Sequence, residues 1–143
     1  MVPIALTVVL LDRLTKVAVV SRMRLGESLE VVPSLFYITR AFNTGAAFGI
    51  MAGRTGLFAV VALVVILLVF RISAGMDRSD RLMNAALGLV LGGAAGNLYD
   101  RLRFGGVVDF IDIKVWPAVF NIADAAIVCG VVLFALGVYR RAS

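Results

Sequence analysis

Of the 143 residues, 62% are hydrophobic and only 16% are charged, with a net charge of +5 and a mean hydropathy of +1.02. A soluble domain carries about 25% charged residues, so this chain lacks the polar material to cover a globule, and it is too hydrophobic to be disordered. One cysteine, Cys129, excludes a disulfide framework, and the lack of histidine excludes His-based zinc sites and Ser–His or Cys–His catalysis.

The expected fold is an all-α membrane protein, one integral-membrane domain over residues 1–143, with four transmembrane helices and a small β-sheet on the extracytoplasmic membrane surface. A span needs about 20 mostly apolar residues. The segments at about 2–20, 55–70, 82–99 and 121–139 meet or approach that length. The run Val2–Leu11 has signal-peptide length, but no positive segment precedes it and no small-residue cleavage site follows, so a retained span is expected. Asp12 and Lys16 lie four apart on one face of this span, either as a buried ion pair or as anchors of a polar site. Arg13 lies on another face and is expected to snorkel to a headgroup.

The sheet is expected within about 27–50, where Val31, Val32, Phe36, Tyr37, Ile38 and Thr39 favour strands, Pro33-Ser34 interrupts them, and Asn43-Thr44-Gly45 reads as a turn. Gly88, Gly92 and Gly96 repeat every four residues in span three and predict close helix packing. Asn97 and Arg101 follow at its end, capping the helix or pointing into a site beyond it. Asp109, among apolar neighbours, reads equally as a turn former or a functional carboxylate, while Asp100 and Asp112 stand in more polar company. Asn121 is a strong N-cap for span four, and Asp124 at N3 resembles its capping-box partner.

Four spans put both termini on one side. The basic residues there are packed more densely, which favours a cytoplasmic location. The positive charge suits membrane lipids as partners. It is too scattered for nucleic acid. Asp12, Lys16, Asn43, Asn97, Arg101, Asp109, Asn121 and Asp124 then all fall at the opposite membrane face. A shared site would explain that convergence. Without histidine or a metal cluster, a hydrolase there would need two carboxylates sharing a proton, and Asp109 and Asp124 are the candidates.

The motifs Asp12-Arg13-Leu14-Thr15-Lys16, Asn43-Thr44-Gly45-Ala46-Ala47-Phe48, Gly96-Asn97-Leu98-Tyr99-Asp100-Arg101, Val107-Val108-Asp109-Phe110-Ile111 and Phe120-Asn121-Ile122-Ala123-Asp124 resemble, in order and spacing, those of lipoprotein signal peptidase (signal peptidase II). The resemblance covers all four spans. It implies a multi-pass aspartic endopeptidase of the bacterial cytoplasmic (inner) membrane, monomeric and without cofactor or metal. Both termini would be cytoplasmic and the site would lie near the extracytoplasmic face. The substrate would be a lipid-modified prolipoprotein, cut just before the diacylglyceryl-cysteine, and the inhibitor the cyclic peptide globomycin. Asp109 and Asp124 match the family's catalytic pair; Asp12, Lys16, Asn43, Asn97, Arg101 and Asn121 match its surrounding polar set. Arg13 departs from the glutamine common there, and the stretch before the first span is very short. From the residues alone, two other readings stand: a small carboxylate-based transporter or channel subunit, or a structural module whose polar groups only cap and pair.

Overall fold

The computed structural model describes residues 1–45, 53–77 and 79–142. Four helices, α1 (Val2–Arg22), α2 (Thr55–Ala74), α3 (Arg81–Phe104) and α4 (Ile122–Ala142), combine with three strands, β1 (Ser28–Val32), β2 (Phe36–Asn43) and β3 (Val107–Ile113). α2, α3 and α4 are long and apolar enough to cross a membrane; α1, interrupted by Asp12, Arg13 and Lys16, is not among them by that measure.

The helices outrun the apolar segments that announce them. α2 continues past Arg71 to Ala74, and α3 past Tyr99 to Phe104. Backbone hydrogen bonding needs no apolar side chain, so a helix proceeds until a cap ends it. For α3 that cap is Gly105, whose φ of 76° places it in the left-handed region that glycine adopts freely. At its other end the Asp80 carboxylate accepts the Met83 N–H at 2.9 Å and pairs with Arg141 at the end of α4.

α3 is the axle of the fold: α1, α2 and α4 all pack against it. Its glycines determine how closely. A Cβ at Gly88 would meet the Met1 carbonyl at 2.8 Å, one at Gly92 the Ala5 carbonyl at 2.7 Å, and one at Gly96 the Asp12 carboxylate at 2.9 Å. The four-residue repeat is therefore the track on which α1 lies, and the small-residue expectation holds. The facing stripe of α1 is Ala5, Val8, Asp12, Lys16 and Val19, all buried at helical spacing. Gly93, on a neighbouring face of α3, lies directly against the Ala123 carbonyl of α4.

The sheet corrects one expectation. The first long loop supplies only the hairpin: β1 and β2 pair antiparallel around a turn in which Ser34 has φ 57°. The third strand, β3, comes from the second loop and pairs antiparallel with β2 from Phe36↔Ile113 to Asn43↔Val107. The expected sheet region at 27–50 thus contains two of three strands, and its last five positions, 46–50, lie outside the described residues. On the side toward the helices, Phe110 packs with Val19 and Met23, which seats β3 against the end of α1.

Candidate active site

β3 and the start of α4 each contribute one carboxylate to a cleft of about 630 Å³. Asp109 alternates with its strand neighbours, so its side chain leaves the sheet on the buried face and is only 3% exposed. Asp124 sits in the first turn of α4. The intervening chain folds back because Phe120 bridges Ile111: the Ile111 N–H donates to the Phe120 carbonyl at 2.7 Å and the Phe120 N–H returns the bond at 3.0 Å. That closure brings the end of β3 beside the start of α4.

Three asparagines orient the pair. The Asn43 side-chain amide donates to Asp109 Oδ2 at 3.2 Å, and the Asn121 amide to Asp109 Oδ1 at 2.6 Å. The Asn97 amide donates to Asp124 Oδ1 at 2.7 Å. Asn121 also forms the expected reciprocal cap. Its Oδ1 accepts the Asp124 N–H at 2.9 Å, while its own N–H donates to Asp124 Oδ2 at 3.3 Å. One fully buried residue thus starts α4 and touches both carboxylates.

Burial, and then the nearby Asp124 charge, push the Asp109 carboxyl up from 3.8 to about 7, against the opposing hydrogen bonds from Asn121 and Asn43. Asp112, three residues on and facing the other way, is held below the usual carboxylate range by Lys114 Nζ at 2.6 Å and Thr39 Oγ1 at 2.7 Å. Two carboxylates on one strand therefore differ because Asp109 is desolvated beside another carboxylate, whereas Asp112 has a cation and a hydroxyl against it.

Of the residues singled out from the sequence, Asn43, Arg101, Asp109 and Asp124 line the cleft. Arg101 donates to the Asn97 carbonyl at 3.4 Å and lies 5.7 Å from the Phe58 ring centre. Asn97, Asn121, Asp12 and Lys16 stand behind them. The Asp12–Lys16 ion pair forms at 2.9 Å, and Asp12 Oδ1 also accepts the Ala123 N–H at 3.2 Å, one residue before Asp124. The rest of the cleft is apolar, with Val115, Trp116, Val119 and Val128 along it.

Two details depart from expectation. Arg13 does not reach for a headgroup: its guanidinium pairs with Asp100 at 2.6 Å and lies 5.0 Å from the Tyr99 ring centre. Asp100 is no loop-side carboxylate in polar company but a completely buried one, held by Arg13 and by Lys16 at 2.8 Å. A usable signal existed, since Gly93, Gly96, Asn97 and Asp100 recur at helical spacing on the face of α3 that the glycines commit to packing. Among the described residues, no group of His, Cys, Asp and Glu has an arrangement able to hold a metal ion.

Residues 4–140 match the family described as signal peptidase (SPase) II. The chain belongs to the signal peptidase II family. It is 41% identical over 140 residues to the lipoprotein signal peptidase of Halothermothrix orenii, covering 96% of this chain and 94% of that one. It is 46% identical over 121 residues to the lipoprotein signal peptidase of Desulfitobacterium hafniense, covering 85% and 80%. Among solved structures, a bacterial membrane enzyme determined by the in meso method at 2.3 Å resolution superposes with a TM-score of 0.91 at 34% identity, covering 98% of this chain and 87% of that chain. The expected family is therefore correct, and this signal peptidase II chain is a hydrolase of the aspartic type.

In a signal peptidase II site built this way, Asn121→Asp is an informative change. Aspartate caps a helix as well as asparagine, so α4 should still start correctly. The amide donors to Asp109 and Asn97 are lost, and a carboxylate replaces them against Asp109. Processing should fall by about 100-fold or more, while the thermal midpoint moves far less; both can be read on one purified preparation.

Proposed function

We propose that Asp109 and Asp124 are the catalytic dyad of a peptidase that removes the signal peptide from diacylglyceryl-modified prolipoproteins, cutting before the lipidated cysteine. The observation that carries the reading is that two carboxylates from separate elements, Asp109 buried and Asp124 half-buried, line one cleft, each held by amide donors. Carboxylates so placed share one proton. The ionised member takes a proton from water as the water oxygen bonds to the scissile carbonyl carbon, and the protonated member donates to the carbonyl oxygen. Collapse of the tetrahedral intermediate breaks the C–N bond: the proton taken from water passes to the departing amine, and a hydroxyl of the intermediate returns its proton to the dyad as the carbonyl re-forms. Asn43, Asn97 and Asn121 hold the dyad, Arg101 faces the substrate, and Asp12 and Lys16 brace the site from behind.

In this reading α1 is the fourth span, its charges neutralised internally, both termini are cytoplasmic, and the sheet rests on the extracytoplasmic surface beside a monomeric, single-domain bundle. The apolar part of the cleft suits a substrate arriving sideways from lipid, with Trp116, 55% exposed, at its rim. The reading is tested by converting a lipidated precursor to its shorter form in reconstituted membranes.

Its pH dependence is specific. The dyad titrates as a unit. Because Asp109 holds its proton up to about 7, processing should fall above about pH 7 as the second proton leaves. The same shift acts on stability. The unfolded carboxyl ionises near 3.8 and the folded one near 7, so the folded state binds more protons in that window and stability declines as pH rises through it. A pH–rate profile flat through this range would contradict the assignment.

A further inference from the structure

Behind the dyad lies a closed group of four charges. Lys16 Nζ contacts Asp12 Oδ2 at 2.9 Å, Asp100 Oδ2 at 2.8 Å and Asn97 Oδ1 at 3.2 Å. Arg13 pairs with Asp100 at 2.6 Å and reaches Asp12 at 3.4 Å. Asp12 and Asp100 are completely buried and Lys16 is 2% exposed. A knot serving only to join α1 to α3 would need no outlet, yet this one has two toward the dyad. Lys16 donates to the Asn97 amide oxygen, and the other end of that amide donates to Asp124 at 2.7 Å. Asn97 Oδ1 also accepts from the Asn121 amide, which donates to Asp109. Lys16 is the cation of this group that touches the amide relay; of its carboxylate partners, Asp100 is also held by Arg13, while Asp12 accepts the Ala123 N–H beside Asp124.

We propose that Lys16 and Asp100 form an opposed pair of positioning residues that sets the pH window of the dyad, Lys16 holding one carboxyl ionised and Asp100 limiting that effect. This rests on the dyad reading above. The charged groups around Lys16 are Asp12 and Arg13 on α1, Asp100 and Arg101 on α3, Asp109 on β3 and Asp124 on α4. The Lys16 charge acts on the Asp109 carboxyl in the lowering direction, and charges this near in a dry site act over several ångströms with little screening.

The two residues therefore have opposite signatures. Lys16→Gln removes a positive charge that acts on the dyad, so both limits of the pH–rate profile should move to higher pH by roughly one unit. Asp100→Asn leaves Lys16 less neutralised while keeping the side chain's volume and one acceptor oxygen, so the limits should move to lower pH. Full-length enzyme in proteoliposomes, acting on a lipidated precursor across a pH series, reads both. Lys16→Gln leaves two buried carboxylates facing Arg13 alone. Should it fail to fold, the Lys16→Gln/Asp100→Asn double variant replaces it, and its limits should lie alkaline of those of Asp100→Asn. Opposed shifts support the proposal. Unmoved limits with only a loss of folded enzyme, or shifts of the same sign in both variants, would overturn it. Asp109→Asn in the same assay separates the two claims, because processing that survives in that variant counts against the dyad itself.

Discussion

Asp109→Asn and Asp124→Asn should each reduce processing by at least about 1,000-fold, because either change leaves the dyad unable both to accept and to donate a proton. Neither should prevent membrane insertion. The two side chains sit at the start of α4 and on the face of β3, not in the contacts between α3 and α1 or α2. The amide keeps the volume of the acid and can still accept the hydrogen bonds from Asn97 or Asn121. Asp109→Asn also removes a carboxyl that burial penalises, so its thermal midpoint at neutral pH should not fall below wild type. That combination separates catalysis from a purely capping role, which would instead lose stability and leave no reaction to measure. Near wild-type conversion of a lipidated precursor by either variant would exclude the pair as the catalytic carboxylates.

The second large effect comes from a residue with no chemistry. A Cβ at Gly93 would collide with the backbone carbonyl of Ala123 and approach Ile127 Cγ1 at 2.7 Å. Backbone cannot yield as a side-chain tip does, so Gly93→Ala must push α4 away from α3. Ala123 immediately precedes Asp124 and donates its N–H to Asp12, so the displacement falls on the turn that carries the proposed catalytic Asp124. A shift near 1 Å in a reacting group costs about 100-fold in rate, and overpacking costs about 1–3 kcal/mol in stability. Gly56→Ala, in α2 with open space around the added carbon, should leave processing unchanged. Equal activity in Gly93→Ala and Gly56→Ala would mean that this close approach does not position the site.

What could be read from the sequence depended on whether the signal was local. The apolar runs marked α2, α3 and α4 because lipid exposure demands continuous hydrophobicity, and Arg71, Arg140 and Arg141 showed where it stops. Asp12 and Lys16 were legible because four residues is one turn of helix. Asn121 and Asp124 were legible because a cap is a three-residue event. β3 was not: Val107–Ile113 follows two glycines, contains two aspartates, and becomes a strand only because Phe36–Asn43, far earlier in the chain, offers an edge. Asp100 was missed for a similar reason. Its partners Arg13 and Lys16 lie on another helix, and beside Arg101 it resembles an ordinary polar helix end. Arg13 was misjudged with it, since snorkelling is the expectation for an arginine with no visible partner.

The Lys16 contacts also bear on biogenesis. Asp12 and Lys16 are synthesised long before Asp100 emerges, so in the proposed four-span arrangement the first span must wait at the membrane with part of its final pairing missing. A lone intramembrane aspartate would be costly during that interval. The four-residue spacing gives Asp12 a partner within its own helix from the moment that helix forms. Arrival of α3 then adds Asp100 to a cation that is already held and brings Gly96 against Asp12. The contact that braces the finished site thus doubles as a temporary self-neutralisation of the newborn span, and moving either residue by one position would expose the nascent chain before it harmed the folded enzyme.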